Sequence, residues 1–188
     1  MIPPVTMPQS ALNVVLIGFM GCGKTTLGRG LAAKLGFRFL DMDELIVQKT
    51  GKSIPEIFAD SGEEGFRAVE TGVLRELQGT RCAVISTGGG VVTMPENLPL
   101  LKKLGCVIFL NVPERVLFER VSRNHDRPLL RTANPRQTLH DLLEARLPLY
   151  VSVADLDLDI RGLTPDEAAY GLAESVRFHF SESRQPPA

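Results

Sequence analysis

Cysteine is scarce in this chain and poorly placed for cross-linking. Cys22, Cys82 and Cys106 are odd in number, far apart and without metal-site spacing. That argues against a disulfide scaffold and for a reducing, cytoplasmic setting. Excess charge is missing as well: 21 Lys and Arg stand against 22 Asp and Glu, a formal net charge of −1. No overall field therefore favours nucleic acid or a membrane surface as partner. No apolar run approaches the roughly 20 residues of a membrane span. The opening stretch MIPPVTMPQSALN has neither the basic start nor the apolar centre of a signal peptide. Residues 1–12 and 181–188 are polar or proline-rich without periodicity, and read as a flexible arm and tail.

What is present is an alternation. With 44% apolar and 23% charged residues, residues 13–180 suit a single domain with one continuous core. Short apolar runs at Val14–Ile17, Phe37–Leu40, Ala83–Ile85 and Val107–Leu110 read as buried strands. Between them, Lys24–Leu35, Asp43–Asp60, Glu63–Leu77, Pro95–Leu104 and Pro113–Arg123 are long enough for helices. Such β-α-β alternation implies an α/β fold, a parallel sheet covered on both faces, with ligands at the carboxyl ends of the strands. A fifth run, Leu156–Ile160, alternates with Asp155, Asp157 and Asp159. A calcium loop also spaces carboxylates by two, but its sixth and twelfth positions would here be Ile160 and Asp166, so a half-exposed edge strand is the better reading.

The strongest local signal is GFMGCGKT, Gly18 to Thr25, which satisfies G-x-x-x-x-G-K-[ST] between a strand and a helix. Its glycines let successive N–H groups of Gly21, Cys22 and Gly23 converge on one anion, and the helix start through Thr26 adds its positive end. Lys24 suits the β- and γ-phosphates of a nucleotide, and Thr25 a magnesium ion. A helix N-terminus and a nearby lysine also lower a thiol pKa, so Cys22 is a candidate for ready alkylation.

Many such chains end a later strand in a metal-binding aspartate. Here that strand ends as VISTGGGVV, with Gly88, Gly89 and Gly90 in its place. Asp41 and Asp43, after the second strand, are the alternative source of a carboxylate for a metal and for an acceptor hydroxyl. Helix capping by Asp43 is the simpler role. The triple glycine is either a flexible turn or a backbone left bare for close approach. Arg67 and Glu70 lie three apart, spaced for a local helix pair, unless Arg67 receives an anion. Arg115, Arg120, Arg123, Arg127, Arg131 and Arg136 crowd residues 115–136, and RNHDRPLLRTANP between them, with little periodicity and two prolines, reads as a mobile lid at about 122–135. Arg146, near the end of the next helix, either stabilises that helix end or joins the site.

The ordered series GFMGCGKTTLG, DMD, FRAVE, STGGGVV, RPLL and RLPLY resembles the shikimate kinase family over nearly the whole chain. The resemblance implies a three-layer P-loop kinase of the nucleoside-monophosphate-kinase-like type, with a five-stranded parallel sheet, flanking helices and a lid. It implies transfer of the γ-phosphate of ATP to the 3-hydroxyl of shikimate with Mg2+, in a monomer whose partners are small molecules only. By the same resemblance, Lys24 binds the transferring phosphates and Thr25 and Asp41 serve magnesium. Asp43 holds the acceptor hydroxyl. Arg67, Arg146 and Gly88 to Gly90 form the shikimate site. Arg120 packs on adenine, and Arg127 of RPLL is the lid arginine reaching the phosphates. The rival readings are another small-molecule kinase of this fold, such as a gluconate kinase, and a nucleotide-binding module without catalysis.

Overall fold

The computed structural model describes residues 13–122, 128–130 and 132–182. Five strands, β1 (Asn13–Ile17), β2 (Arg38–Asp41), β3 (Ala83–Ser86), β4 (Gly105–Asn111) and β5 (Leu156–Asp159), form one parallel sheet in the order β2-β3-β1-β4-β5. Central β1 is buried along its whole length, and Val14 to Ile17 are fully inaccessible. A strand covered on both faces must be apolar at every position rather than at alternate ones. Each such aliphatic side chain contributes about 1.5–3 kcal/mol of burial. β5, at the edge, shows the opposite pattern: its leucines are half-buried and its aspartates exposed.

Among the described residues, seven helices of four or more residues join or flank the strands: α1 (Lys24–Leu35), α2 (Met42–Thr50), α3 (Ile54–Glu76), α4 (Asn97–Leu104), α5 (Glu114–Val121), α6 (Pro135–Val153) and α7 (Pro165–Glu182). The crossover through α1 runs from β1 toward β2, and the one through α4 runs from β3 the other way to β4. Parallel crossovers are right-handed, so α1 and α4 cover opposite faces. α7 packs alongside α1, while α6 packs on α4 and β4. The connection changes direction between β1 and β3, and there the loops after these two strands enclose a crevice.

The helices depart from the sequence expectation in two places. A break that was not expected falls at residues 51–53, while the expected one after Asp60 is a kink at Gly62. Gly51 closes α2 by donating its N–H to the Val47 carbonyl, and Ser53 and Glu56 form a reciprocal capping box that starts α3. α3 then runs on to Glu76 across a single non-helical residue, Gly62 (φ 67°, ψ −170°). That backbone region is open essentially only to glycine. The second departure is α6, which continues through Pro148 to Val153, so Arg146 lies inside the helix and not at its end.

At the lower end of the sheet, buried Asn13 ties three elements together. Its amide donates to the carbonyls of Thr80 (2.9 Å) and Leu104 (2.8 Å), and its oxygen accepts the Ala83 N–H (3.1 Å). The upper end is left to the site.

Candidate active site

The loop from Gly18 to Gly23 joins β1 to α1 and curls over the first turn of the helix. Gly23 takes φ 99° as the helix N-cap, a left-handed value that turns the chain tightly enough to aim consecutive amides inward. Lys24 folds back along the loop. Its ammonium donates to the Gly18 (2.8 Å) and Phe19 (3.0 Å) carbonyls and lies 3.5 Å from Cys22 Sγ. Cys22 itself is fully buried, and its thiol fills the space beside Gly18. That burial weighs against the ready alkylation expected from the electrostatics, because a reagent must first open the loop.

The carboxylate absent from the end of β3 sits one strand over. In the β2–β3 pairing, Asp41 stands opposite Ser86. Asp41 Oδ2 accepts the Thr25 hydroxyl at 2.8 Å, and Oδ1 accepts the Asp43 backbone N–H at 3.0 Å. The N-cap of α2 is therefore Asp41, and Asp43 is released from the capping role that local sequence offered it. The Asp43 side chain instead lines two adjoining cavities.

The first cavity, about 450 Å3, is the crevice over the phosphate loop. Met20 to Leu27, Asp41, Asp43, Ser86 and Arg120 line one side, and Ile160, Leu163, Thr164 and Pro165 the other. Arg120 comes down from the last turn of α5 and donates to the carbonyls of Gly21 (3.2 Å) and Cys22 (3.4 Å), joining α5 to the loop. The second cavity, about 290 Å3, is walled by Asp43, Arg67, Glu70, Gly88 to Gly90 and Arg146, with Met20, Ile54, Phe58 and Phe66 as its apolar side. Asp43, Met20 and Gly89 belong to both. A group held in one cavity thus meets a group held in the other beside a carboxylate.

Gly62 sets up the far wall of the second cavity. The helical phase restarts after it, so Glu63, Arg67 and Glu70 fall on one face. Arg67 Nη1 donates to Glu70 Oε2 at 2.7 Å, while Nη2 (3.0 Å) and Nε (3.3 Å) donate to Glu63 Oε1. Arg67 is thus locally paired, as its spacing predicts, and it also faces the cavity. Burial pushes the Glu70 carboxyl above the usual carboxylate range against the pull of Arg67. Burial draws the Arg67 guanidinium down, and Glu70 and then Glu63 more than reverse it. The glycines make room for this pair. A Cβ on Gly88 would fall 2.2 Å from Glu70 Oε1, and one on Gly90 2.1 Å from Arg67 Nη2. The turn is packed against side chains and is not a slack one.

Gly89 is held from below. Its carbonyl accepts the Tyr150 hydroxyl and, at 3.4 Å, Arg146 Nη1. Tyr150 is fully buried against the Phe109 ring, with centroids 5.0 Å apart, and burial pushes its phenol well above the ordinary value. Arg146 lies over the Phe19 ring at 5.7 Å, which links the second cavity to the phosphate loop.

The structure thus gathers Gly21, Cys22, Gly23, Lys24, Thr25, Thr26, Asp41, Asp43 and Arg120 around one cavity and Arg67, Gly88, Gly89, Gly90 and Arg146 around the next. Arg127 lies outside the described residues, as do residues 123–126 and 131 of the expected lid. Sequence reading missed Glu63 and Tyr150 and treated Glu70 only as a helix partner. Their signal was helical spacing: each lies three or four positions from a site arginine.

Comparison with known proteins bears on this arrangement. The family model described as shikimate kinase matches residues 20–177. A shikimate kinase of Thermodesulfovibrio yellowstonii is 47% identical over 157 residues, covering 84% of this chain and 90% of the relative. One of Acinetobacter baylyi is 51% identical over 164 residues, covering 87% and 89%. The solved structure of an Acinetobacter baumannii shikimate kinase in complex with shikimate superposes with a TM-score of 0.83 at 42% identity, covering 95% of this chain and 97% of that one. With the phosphate loop, the second-strand carboxylates and the two-arginine cavity in their places, the chain belongs to the shikimate kinase family.

Proposed function

We propose that this chain transfers the γ-phosphoryl group of ATP to the 3-hydroxyl of shikimate, giving shikimate 3-phosphate and ADP on the way to chorismate and the aromatic amino acids. The observation that carries the reading is Asp43 on the wall shared by a phosphate-loop crevice and a cavity bearing two buried arginines. Shikimate is a small ring with one carboxylate and three hydroxyls. Planar guanidinium forks on Arg67 and Arg146 suit the carboxylate, and the shared wall then meets the hydroxyls.

In this mechanism the loop amides and Lys24 hold the nucleotide phosphates. Lys24 exchanges the Gly18 and Phe19 carbonyls for phosphate oxygens, so its charge lies where charge builds during transfer. Asp43 accepts a hydrogen bond from the acceptor hydroxyl and turns its lone pair toward the γ-phosphorus. Rate comes mainly from placing two substrates in line within a partly closed site. Arg120 braces the nucleotide side, and Arg127 is proposed as the lid arginine that closes over the phosphates.

Thr25 and Asp41 present hydroxyl and carboxylate oxygens 2.8 Å apart, a hard oxygen set that fits Mg2+. Magnesium bound there would neutralise charge on the β- and γ-phosphates. Residues 13–180 are proposed to act as one cytoplasmic, monomeric domain, with elution at the monomer mass on gel filtration as the check. Among the described residues no helix is long and apolar enough to cross a membrane.

The test is ADP release from purified protein with Mg2+ and ATP, with shikimate, with gluconate, and with neither. Shikimate-dependent release with a phosphorylated shikimate mass is the expected result. Release with gluconate would support the sugar-kinase alternative, and ATP binding without release would support a regulatory module.

A further inference from the structure

The two arginines of the acceptor cavity are differently occupied. Arg146 has no carboxylate within ion-pair distance among the described residues, and it meets the Gly89 carbonyl, the Tyr150 hydroxyl and the Phe19 ring. Arg67 has two. Glu70 is wholly buried and bonded to Nη1, so it is a permanent neighbour. Glu63 is different: its side chain is 47% exposed, yet one of its oxygens takes both Nε and Nη2. Those two N–H groups form a parallel edge, the one a guanidinium uses to grip a carboxylate through two bonds.

We propose that Glu63 is a built-in competitor of the acceptor: its carboxylate holds the Nε/Nη2 edge of Arg67 and swings into water when the substrate carboxylate takes that edge. The inference rests on the shikimate reading above and deepens it. Two carboxylates cannot both grip the Nε/Nη2 edge, and Glu70, wholly buried on Nη1, is not the one that moves. Glu63 can leave at small cost. It sits in the first turn after the Gly62 break, half in water, where the loss of an exposed pair amounts to about 0–1 kcal/mol. Until then it keeps the buried guanidinium doubly neutralised. The arrangement also selects: a polyol without a carboxylate gains nothing by displacing Glu63, whereas a carboxylate backed by Arg146 does.

The test compares Glu63→Gln and Glu63→Asp with the unaltered chain. Glu63→Gln keeps the shape and removes the charge. It should lower the shikimate KM by roughly two- to fivefold, in line with a half-exposed pair, and leave the ATP KM in place. Glu63→Asp keeps the competing charge and should stay near the starting value. A shikimate KM that rises or does not move in Glu63→Gln overturns the proposal, because Glu63 would then orient Arg67 or be a bystander. A second readout does not depend on the substrate assignment. Phenylglyoxal modification of Arg67, followed by peptide mass, should be faster in Glu63→Gln, and an equal rate overturns the proposal even if shikimate proves not to be the acceptor. Absence of shikimate-dependent turnover in the unaltered protein, with faster Arg67 modification in the variant, would refute the substrate reading and leave the role of Glu63 standing.

Discussion

Single atoms decide how Asp43 and Tyr150 serve the site. Asp41 uses both carboxylate oxygens, one on Thr25 and one on the Asp43 amide, and so relieves Asp43 of any duty to the helix start. Asp43→Asn keeps the shape and removes the charge proposed to orient the acceptor hydroxyl. It should lower kcat by about 10²- to 10⁴-fold with little change in the ATP KM, and steady-state kinetics with saturating ATP would show it; an unaltered kcat would take Asp43 out of the chemistry. Tyr150 acts through backbone. Its hydroxyl holds the Gly89 carbonyl, which borders both cavities. Tyr150→Phe should cost about 1 kcal/mol of stability and raise the shikimate KM more than the ATP KM. Equal change in both constants would reduce Tyr150 to a packing residue. Neither role is visible locally in the chain: DMD offers two carboxylates without saying which one caps, and RLPLY offers a tyrosine without its carbonyl.

Among the elements, α3 carries the most function for its length. Gly62 interrupts it, and after the break Phe66, Arg67 and Glu70 line the second cavity while Glu63 holds Arg67 from its outer side. Nothing lies within 4 Å of a Cβ built on Gly62, so Gly62→Ala tests conformation alone. A non-glycine residue in that backbone region costs of order 1–3 kcal/mol. A fall of several degrees in Tm is expected, together with a weaker shikimate KM as the phase of Glu63 and Arg67 shifts. A variant as stable as the parent would show that the break relaxes freely into continuous helix. The residues on either side of Gly62 were legible as helix from their periodicity. The position of the earlier break was not, because Gly51, Ser53 and Glu56 form their cap only when the chain reverses there.

At the level of the whole molecule, the buried pair of Arg67 and Glu70 ties stability to pH. Burial raises the Glu70 pKa above its ordinary value of 4.5. A raised carboxyl contributes stability that is fully present below the unfolded pKa and is lost as pH rises through the folded one. Glu70→Gln removes that dependence. The Tm of the variant minus that of the parent should therefore increase between pH 4.5 and neutrality in paired thermal melts. A difference that decreases instead would mean that attraction to Arg67 outweighs burial. The same pair accounts for two glycines of the turn after β3, since a side chain at Gly88 or Gly90 would collide with one of its members, while one at Gly89 would crowd the Met20 backbone N–H at 3.0 Å.

The local chemistry of this protein was written in the chain. A loop built to hold phosphate, strands apolar enough for burial on both faces, and arginines fit for a carboxylate all follow from residue type and spacing, which act over a few positions. Which of these meet was decided by the fold. Because β3 lies between β2 and β1, Asp41 comes beside the phosphate loop, and the glycine turn comes between Asp43 and the α3 arginine. α6, packed on β4, brings Arg146 and Tyr150 under that same turn. Strand order and helix packing depend on burying the whole core at once, and no stretch of sequence short enough to read for periodicity contains that information.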